Sequence, residues 1–373
     1  MVEVREIKTP REKKEFIDFP LKLYKGVPWF CPPLYMDERN IIGIKNIYND
    51  TCDTVYYGAY RDGRMVGRIS GIIQKAANEK NGEHRVRFGR FDSIDDQEVA
   101  DALFNAVESW AVAKGMDTAH GPLGFSDLER EGLLIEGFDQ PNTFEEQYNF
   151  PYYQKLIEAN GYTKEVDWTE SKLTVPDEYD GNLEKLGEFV MKRYKLRFGP
   201  AKNVNDFIEK YADGLFELID KSYDKLYGTV PFTDAMKRQM IDGFKFIVDL
   251  RFVAVILNEE DKIVAFGICF PSIIEALRTS DGHITLPMLV RFLKAKRHPK
   301  VIDLGLVGVD PEYLNKGISA VFAAALMKML KEDGIEYAET NLNLEDNYDI
   351  QNLWKHFGRV NHKKRRAFVK QLV

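Results

Sequence analysis

The chain has 373 residues, of which 44% are apolar and 30% are charged. This length exceeds what one hydrophobic core usually serves, so we expect two domains, and the composition excludes a disordered chain. The net charge of −7 argues against attraction of the whole surface to nucleic acid or anionic lipid, although it does not exclude a local basic patch.

The cysteines and the N-terminal segment indicate the compartment. Cys31, Cys52 and Cys269 are far apart and lack metal-site spacing, so we expect no metal and a reducing environment. The N-terminus is charged where a signal peptide would be apolar, and no apolar run approaches the ~18 residues that span a bilayer. We therefore expect a cytoplasmic protein without a membrane or nucleic-acid partner; the oligomeric state is not indicated.

The first half predicts a series of elements that ends near residue 175. Its parts are a β-hairpin at 55–73, a strand at 84–92, a helix at 98–115, a strand at 116–123, a short helix within 149–162 and a strand at 168–175. Gly115 is a typical residue at the end of a helix. The order of these elements predicts one α+β unit.

The second half repeats this order. Its parts are a hairpin at 251–270, a strand at 300–310, a helix at 319–334, a strand at 335–342, a short helix within 347–360 and a strand at 365–373. We expect two units of one fold, 1–177 and 186–373, divided in the polar stretch 175–187. The strands at 168–175 and 365–373 are expected at the edge or in the half-exposed part of a sheet, with basic residues 362–370 protecting an edge rather than binding RNA.

Two loop regions have no regular pattern. Residues 121–151 are rich in Gly, Pro and acidic residues and longer than an ordinary connection, which is typical either of a lid or of a packed bridge between domains. Residues 226–240 contain Gly228, Pro231 and an expected helix cap at Thr233. In this region Tyr227 and Phe232 are candidates for the acceptor pocket, against a simple corner between helices.

The stretch VGVDPEYLNKGIS, residues 307–319, joins a strand to an alanine-rich helix. The free amides of the loop and of the first helical turn can converge on a diphosphate, helped by the positive end of the helix dipole. Gly317 allows close approach to the backbone, and Lys316 could add a charge or lie in solvent. An ordinary strand-to-helix connection is the alternative.

This order of elements, with the helix N-x-x-I-x-x-L-W-x-x-F-G near the end, resembles the acyl-CoA-dependent GNAT superfamily. The resemblance is good over 194–373 and looser over the first half. It implies two GNAT-like domains, each a mixed, mostly antiparallel, twisted sheet flanked by helices. It also implies an acetyl-CoA or other acyl-CoA co-substrate on the pyrophosphate loop, at positions Leu314, Asn315, Lys316, Gly317, Ile318 and Ser319. Leu314 and Ser319 depart from the family pattern.

In the same family the strand before the loop parts from its neighbour and binds pantetheine. The resemblance places this contact at Leu306, Val307 and Val309, with Asn347 at the start of the last helix. An ordinary paired strand is the alternative.

The tyrosine that usually protonates the leaving thiolate corresponds to Trp354, whose indole cannot supply a proton. Tyr348 and His356 are therefore candidates for that role, against a surface position for His356. Glu339 is a candidate base, or an exposed carboxylate.

The first half departs further from this pattern. Asp92, Asp95 and Asp96 occupy its loop, where carboxylates would repel a diphosphate but suit the first turn of a helix. We expect this half to shape the acceptor side, with Tyr152 and Tyr153 as core or interface aromatics.

The leading hypothesis is an N-acyltransferase, acetyl being the preferred group, that acts on a small-molecule or peptide amine. A non-catalytic acyl-CoA-binding or interaction module is the alternative. A transferase that uses charged tRNA is a third hypothesis, which the acidic balance disfavours.

Overall fold

The computed structural model describes residues 1–179 and 181–373. The helices are α1 (Pro10–Leu23), α2 (Tyr35–Ile41), α3 (Lys75–Asn81), α4 (Gln97–Ala113), α5 (Tyr152–Ala159), α6 (Asn182–Arg193), α7 (Val204–Tyr223), α8 (Asp234–Ile247), α9 (Ile274–Arg278), α10 (Leu286–Arg297), α11 (Ile318–Glu332) and α12 (Tyr348–Leu353). Within the described residues none of them has both the length and the apolar character needed to cross a membrane.

The strands are β1 (Glu3–Glu6), β2 (Cys52–Arg61), β3 (Arg64–Gln74), β4 (Arg85–Ser93), β5 (Thr118–Gly121), β6 (Leu133–Glu136), β7 (Thr163–Thr174), β8 (Arg197–Phe198), β9 (Val253–Leu257), β10 (Ile263–Pro271), β11 (Val301–Val309), β12 (Tyr337–Glu339), β13 (Asn343–Leu344) and β14 (Gly358–Gln371). They form one sheet in the order β1, β2, β3, β4, β5, β14, β7, β12, β11, β10, β9, β8, with β6 beside β14 and β13 beside β7. Only β4–β5 and β11–β12 are parallel among the described pairs. The predicted mixed, mostly antiparallel sheet with flanking helices is confirmed.

The best predicted elements have simple local causes. The turn between β2 and β3 is Asp62-Gly63, and both residues have positive φ, 50° and 73°, as a two-residue hairpin turn requires. Helix α11 packs against α6 through small residues, since a Cβ added to Gly187 would lie 3.3 Å from the Cβ of Ala324. The helix therefore lies close to its neighbour along a seam of small side chains.

The last strand of each half pairs with the other half. Strand β14 lies between β5 and β7, and β7 lies between β14 and β12. Of the two positions expected for residues 168–175 and 365–373, the sheet edge is therefore wrong, as is an edge-protecting role for 362–370. The division between 177 and 186 spans Asp180, which is outside the described residues, and two separate domains stay a prediction.

The charges of β14 are buried among carboxylates instead of facing solvent. The Lys363 ammonium lies 3.1 Å from Glu146 and 3.3 Å from Glu339, and it also pairs with Glu170. The Arg365 guanidinium lies 2.6 Å from Glu170 and 3.2 Å from Glu146. Because an unpaired ion in such a place costs several kcal/mol, each of these charges depends on the others.

Replacing Lys363 with Met should destabilise the protein strongly, because three buried carboxylates would share one cation fewer. We expect a loss of about 3–5 kcal/mol in the free energy of unfolding, measured by urea denaturation. Lys364→Met is the matched control, since Lys364 is 28% exposed and pairs with Asp167 at 2.8 Å. That change should cost below about 1 kcal/mol; equal losses would contradict a structural role for the network.

Candidate functional site

Strands β11 and β12 part after a short parallel ladder. Val301, Ile302 and Asp303 pair with residues 337–339, and β11 then continues alone on this side to Val309. On its other side β11 stays paired with β10 as far as Val309. One edge of 304–309 therefore has no strand partner, and pantetheine binding along it stays a prediction.

Hydrogen bonds show which peptide groups face this gap. Asp310 N donates to Val264 O of β10 at 2.8 Å, whereas Val307 N donates to the Tyr223 hydroxyl at 3.3 Å. Peptide groups alternate along a strand, so Val307 and Val309 face the gap and Leu306 faces β10. Of the three predicted backbone positions, Leu306 can contribute only its side chain, and the Val309 peptide has no partner in the described chain.

Tyr223, the last residue of α7, occupies the gap. Its hydroxyl donates to Val307 O at 3.0 Å while it accepts from Val307 N. Burial raises the pKa of Tyr223 to about 12, so the hydroxyl carries its proton at neutral pH. No local pattern in the sequence predicted that this tyrosine lies beside β11.

The loop 310–319 has the open amides that an anion requires. Asn315 and Gly317 have positive φ, 64° and 80°, and Gly317 is directly followed by α11. Leu314 N and Lys316 N donate within the loop, to Pro311 O and Tyr313 O. Within the described chain no protein acceptor is found for the amides of Asn315, Gly317, Ile318 and Ser319. These residues fit the diphosphate of an acyl-CoA.

A cavity of about 870 Å³ lies at the gap and extends between α7, α8 and α11. Its wall is mostly apolar and includes Leu215, Phe216, Met240, Phe244, Leu306 and Phe322. This volume is in the upper part of the range of about 300–1,000 Å³ found for small-molecule sites. The space therefore suits a large apolar ligand.

The segment 121–151 forms an acidic part of the cavity wall. It contributes Asp127, Glu129, Glu131, Glu145 and Glu146. Asn341 Nδ2 donates both to Glu145 Oε2, at 3.1 Å, and to Gly305 O on the open edge of β11, at 3.2 Å. This segment packs against β14 and also lines the site, whereas its role as a lid or as a bridge between domains stays a prediction.

Glu145 differs from the other carboxyls of the cavity in its pKa. Burial raises its pKa to about 7, although the hydrogen bond from Asn341 favours the charged form.

The cavity also contains acceptors that have no partner among the described residues, Glu131 Oε1 and Asn341 Oδ1. An acceptor-rich wall of this kind can receive a ligand that carries N–H or O–H groups.

The predicted catalytic residues do not come together in the cavity. Tyr348 is 70% exposed, and His356 is exposed at the far end of the same helical segment. Glu339 is buried and bonds to His362 at 2.6 Å, so it is part of the ionic network. None of the three lines the cavity in the described chain, so the structure gives these assignments no geometric support.

The other predicted positions are divided. Asn347 caps α12 by accepting a hydrogen bond from Ile350 N, and it lines the cavity. Trp354 also lines the cavity, and its indole Nε1 donates to Asn343 Oδ1 at 2.7 Å. Tyr227 also lines the cavity, and its hydroxyl bonds to His120 at 3.0 Å. Phe232 instead packs behind the wall, with its ring centroid 5.3 Å from that of Phe216.

The corresponding region of the first half is filled by its own side chains. Asp96 caps α4, as expected, and Asp92 pairs with Arg68 at 2.8 Å. The hydroxyl of Tyr24 bonds to Asp92 at 2.7 Å and to the hydroxyl of the buried Tyr153 at 2.8 Å. The geometry thus leaves the donor site to the second half.

Comparison of the whole chain identifies related proteins, although no protein-family model matches it. Protein YghO of Escherichia coli (strain K12) is 30% identical, over 99% of this chain and 95% of the relative. The chain belongs to the YghO family. This chain is also similar to the bacterial ceramide synthase of Caulobacter vibrioides (strain NA1000 / CB15N), with 29% identity over 98% of this chain and 96% of that protein.

A solved structure agrees on the fold. The tandem GNAT protein from the clavulanic acid biosynthesis pathway, without AcCoA, aligns over 100% of this chain and 99% of its own, with a TM-score of 0.58 and 12% identity. The tandem GNAT fold predicted from the sequence is therefore confirmed.

Replacing Ser319 with Glu should remove binding of coenzyme A, because it places a carboxylate among the open amides. Ser319 is exposed in the first turn of α11, where an acidic residue does not disturb the helix. At a hundredfold excess over Kd, coenzyme A should stabilise the parent by about 2.7 kcal/mol, seen as a rise in Tm.

Ser319→Gln is the matched control and should keep that rise. An unchanged rise in Ser319→Glu, or none in the parent, would contradict the diphosphate site.

Proposed function

We propose that the protein is an acyl-CoA-dependent N-acyltransferase that joins a long-chain acyl group to the amine of a long-chain amino alcohol. The observation that carries this proposal is the apolar cavity, which meets the open edge of β11 on one side and buried carboxylates on the other. The relative named a ceramide synthase supports the same substrate class, since a ceramide is the amide of such an amine.

The size of the cavity supports a longer acyl chain than acetyl. An acetyl group would leave most of about 870 Å³ unfilled, whereas alkyl chains gain ~0.8 kcal/mol for each buried CH₂. The lining residues from α7 and α8 are aliphatic and aromatic, and they present few groups that could bind a polar acceptor. The polar end of the acceptor therefore belongs at the acidic segment.

The reaction requires removal of a proton from the amine. The amine nitrogen forms a bond to the thioester carbonyl carbon, the carbon–sulfur bond breaks, and the amine loses one proton. Glu145 is the carboxyl that Asn341 ties to the open edge of β11, and it supplies the base. The departing thiolate takes a proton from Tyr223, which lies two residues further along the same edge at Val307.

Turnover should depend on chain length. We expect thiol release from palmitoyl-CoA with a long-chain amino alcohol such as sphinganine, and at least about tenfold slower release from acetyl-CoA or with ethanolamine. The reason is the free energy of burying the alkyl chains. A colorimetric thiol assay measures the release rate for the four pairs of acyl donor (palmitoyl-CoA or acetyl-CoA) and amine (sphinganine or ethanolamine).

A preference for acetyl-CoA or for ethanolamine would contradict the long-chain assignment. Binding of the acyl-CoA without thiol release from any amine would favour the non-catalytic module, which Trp354 at the usual tyrosine position supports.

The pH dependence of kcat/KM should reflect the ionisation of the Glu145 carboxyl. The base must be ionised, and its pKa is raised to about 7, so kcat/KM should rise with pH through about 7 and level off above it. Glu145→Gln should lower kcat by about 10²–10⁴-fold and abolish this rise.

Tyr223→Phe is the companion variant. It should lower the plateau but keep the rise near pH 7, because it leaves the base in place. A Glu145→Gln enzyme with parental kcat and an unchanged pH profile would contradict the assignment of the base.

A further inference from the structure

Helix α10 carries an apolar face that is exposed to solvent. Leu286, Val290 and Leu293 are 77%, 61% and 61% exposed, and their spacing puts them on one side of the helix. Ile284, just before the helix, is 55% exposed and extends the same apolar surface. The opposite side of α10 is buried in the protein. We call these four residues the α10 apolar face.

Basic residues flank this face. Residues 283–300 contain five Lys or Arg and no Asp or Glu, in a chain whose net charge is −7. Arg291, Lys294 and Arg297 are exposed, and none of their side chains has a carboxylate partner in the described chain. The charges of Arg291, Lys294 and Arg297 are therefore uncompensated locally, whereas Lys300 pairs with Glu336 at 2.8 Å and most of the basic residues near the middle of the sheet are also paired.

The buried side of α10 forms part of the wall behind the cavity. Phe292 stacks on Phe246 with ring centroids 4.6 Å apart, and Phe246 lines the cavity while remaining 37% exposed. Ile247 and Ile273 also line the cavity and belong to the same apolar cluster as Phe292. The exposed face and the cavity are thus separated by one layer of side chains.

We propose that the α10 apolar face and its flanking basic residues dock the protein on an anionic phospholipid bilayer. Short amphipathic helices with basic flanks lie in the plane of the interface, with their apolar side chains among the acyl chains. Each Lys or Arg near an anionic surface strengthens the attraction to it. This charge complementarity favours an anionic lipid surface over a protein partner, which would need a matching acidic and apolar patch.

Docking there places the cavity wall beside the bilayer, where long-chain substrates are dissolved. This consequence rests on the proposed function, whereas the docking itself rests on the helix. The sequence expectation of no membrane partner came from the net charge, which averages over the whole surface and does not reflect this segment.

The test is co-sedimentation of the full chain with vesicles of phosphatidylcholine alone or with phosphatidylglycerol added. We expect binding only to the anionic vesicles and weaker binding as salt increases. The triple variant L286S/V290S/L293S and the double variant R291Q/K294Q should each bind at least about tenfold more weakly. The control L186S/F189S removes exposed apolar side chains from α6, 47% and 57% exposed, and should bind as the parent does.

Three results would overturn the docking proposal: no binding by the parent, equal binding to both kinds of vesicle, or parental binding by both α10 variants. If the parent does not bind vesicles but forms a dimer that the triple variant loses, the face would be assigned to contact between copies of the chain.

Thiol release with palmitoyl-CoA and sphinganine in detergent micelles separates the docking proposal from the proposed function. The triple variant should keep that turnover, whereas failure of the proposed function abolishes turnover in the parent and leaves vesicle binding intact.

Discussion

The buried ion pairs of β14 are the constraint on which the site depends. Lys363 and Arg365 cannot remain charged in the middle of a sheet without Glu146 and Glu170, and these carboxylates come from different parts of the chain. Glu146 belongs to the long segment 121–151, so the same pairs fix that segment against the sheet. The neighbouring Glu145 is thereby held at the cavity, where Asn341 ties it to β11.

The two halves have diverged in what fills the gap beside the fourth strand of each unit. In the first half, the side chains of Tyr24, Tyr153 and Asp92 bond to one another in this region. In the second half a single tyrosine, Tyr223, reaches β11, and the amides at the start of α11 stay open. The first half contributes an acidic wall to the cavity beside β11.

The cavity and α10 belong to one apolar system. The residues behind α10 and those that line the cavity are in contact, so the cavity, the packed core and the exposed helix face form successive layers. Leu286, Val290 and Leu293 are exposed to solvent although their side chains are apolar.

The sequence by itself determined the elements, their repetition and the loop at 310–319, because periodicity, Asp-Gly turns and glycine conformation act over a few residues. It also determined that the first half lacks a diphosphate loop, since Asp96 serves as a helix cap within its own turn. Only the tertiary structure decided which strands are neighbours. Residues 362–370 have the pattern of an edge strand, and their carboxylate partners lie up to 262 residues away in sequence. For the same reason Tyr223, Glu145 and Asn341 could not be found in advance, because each gains its role from a partner that no local spacing predicts.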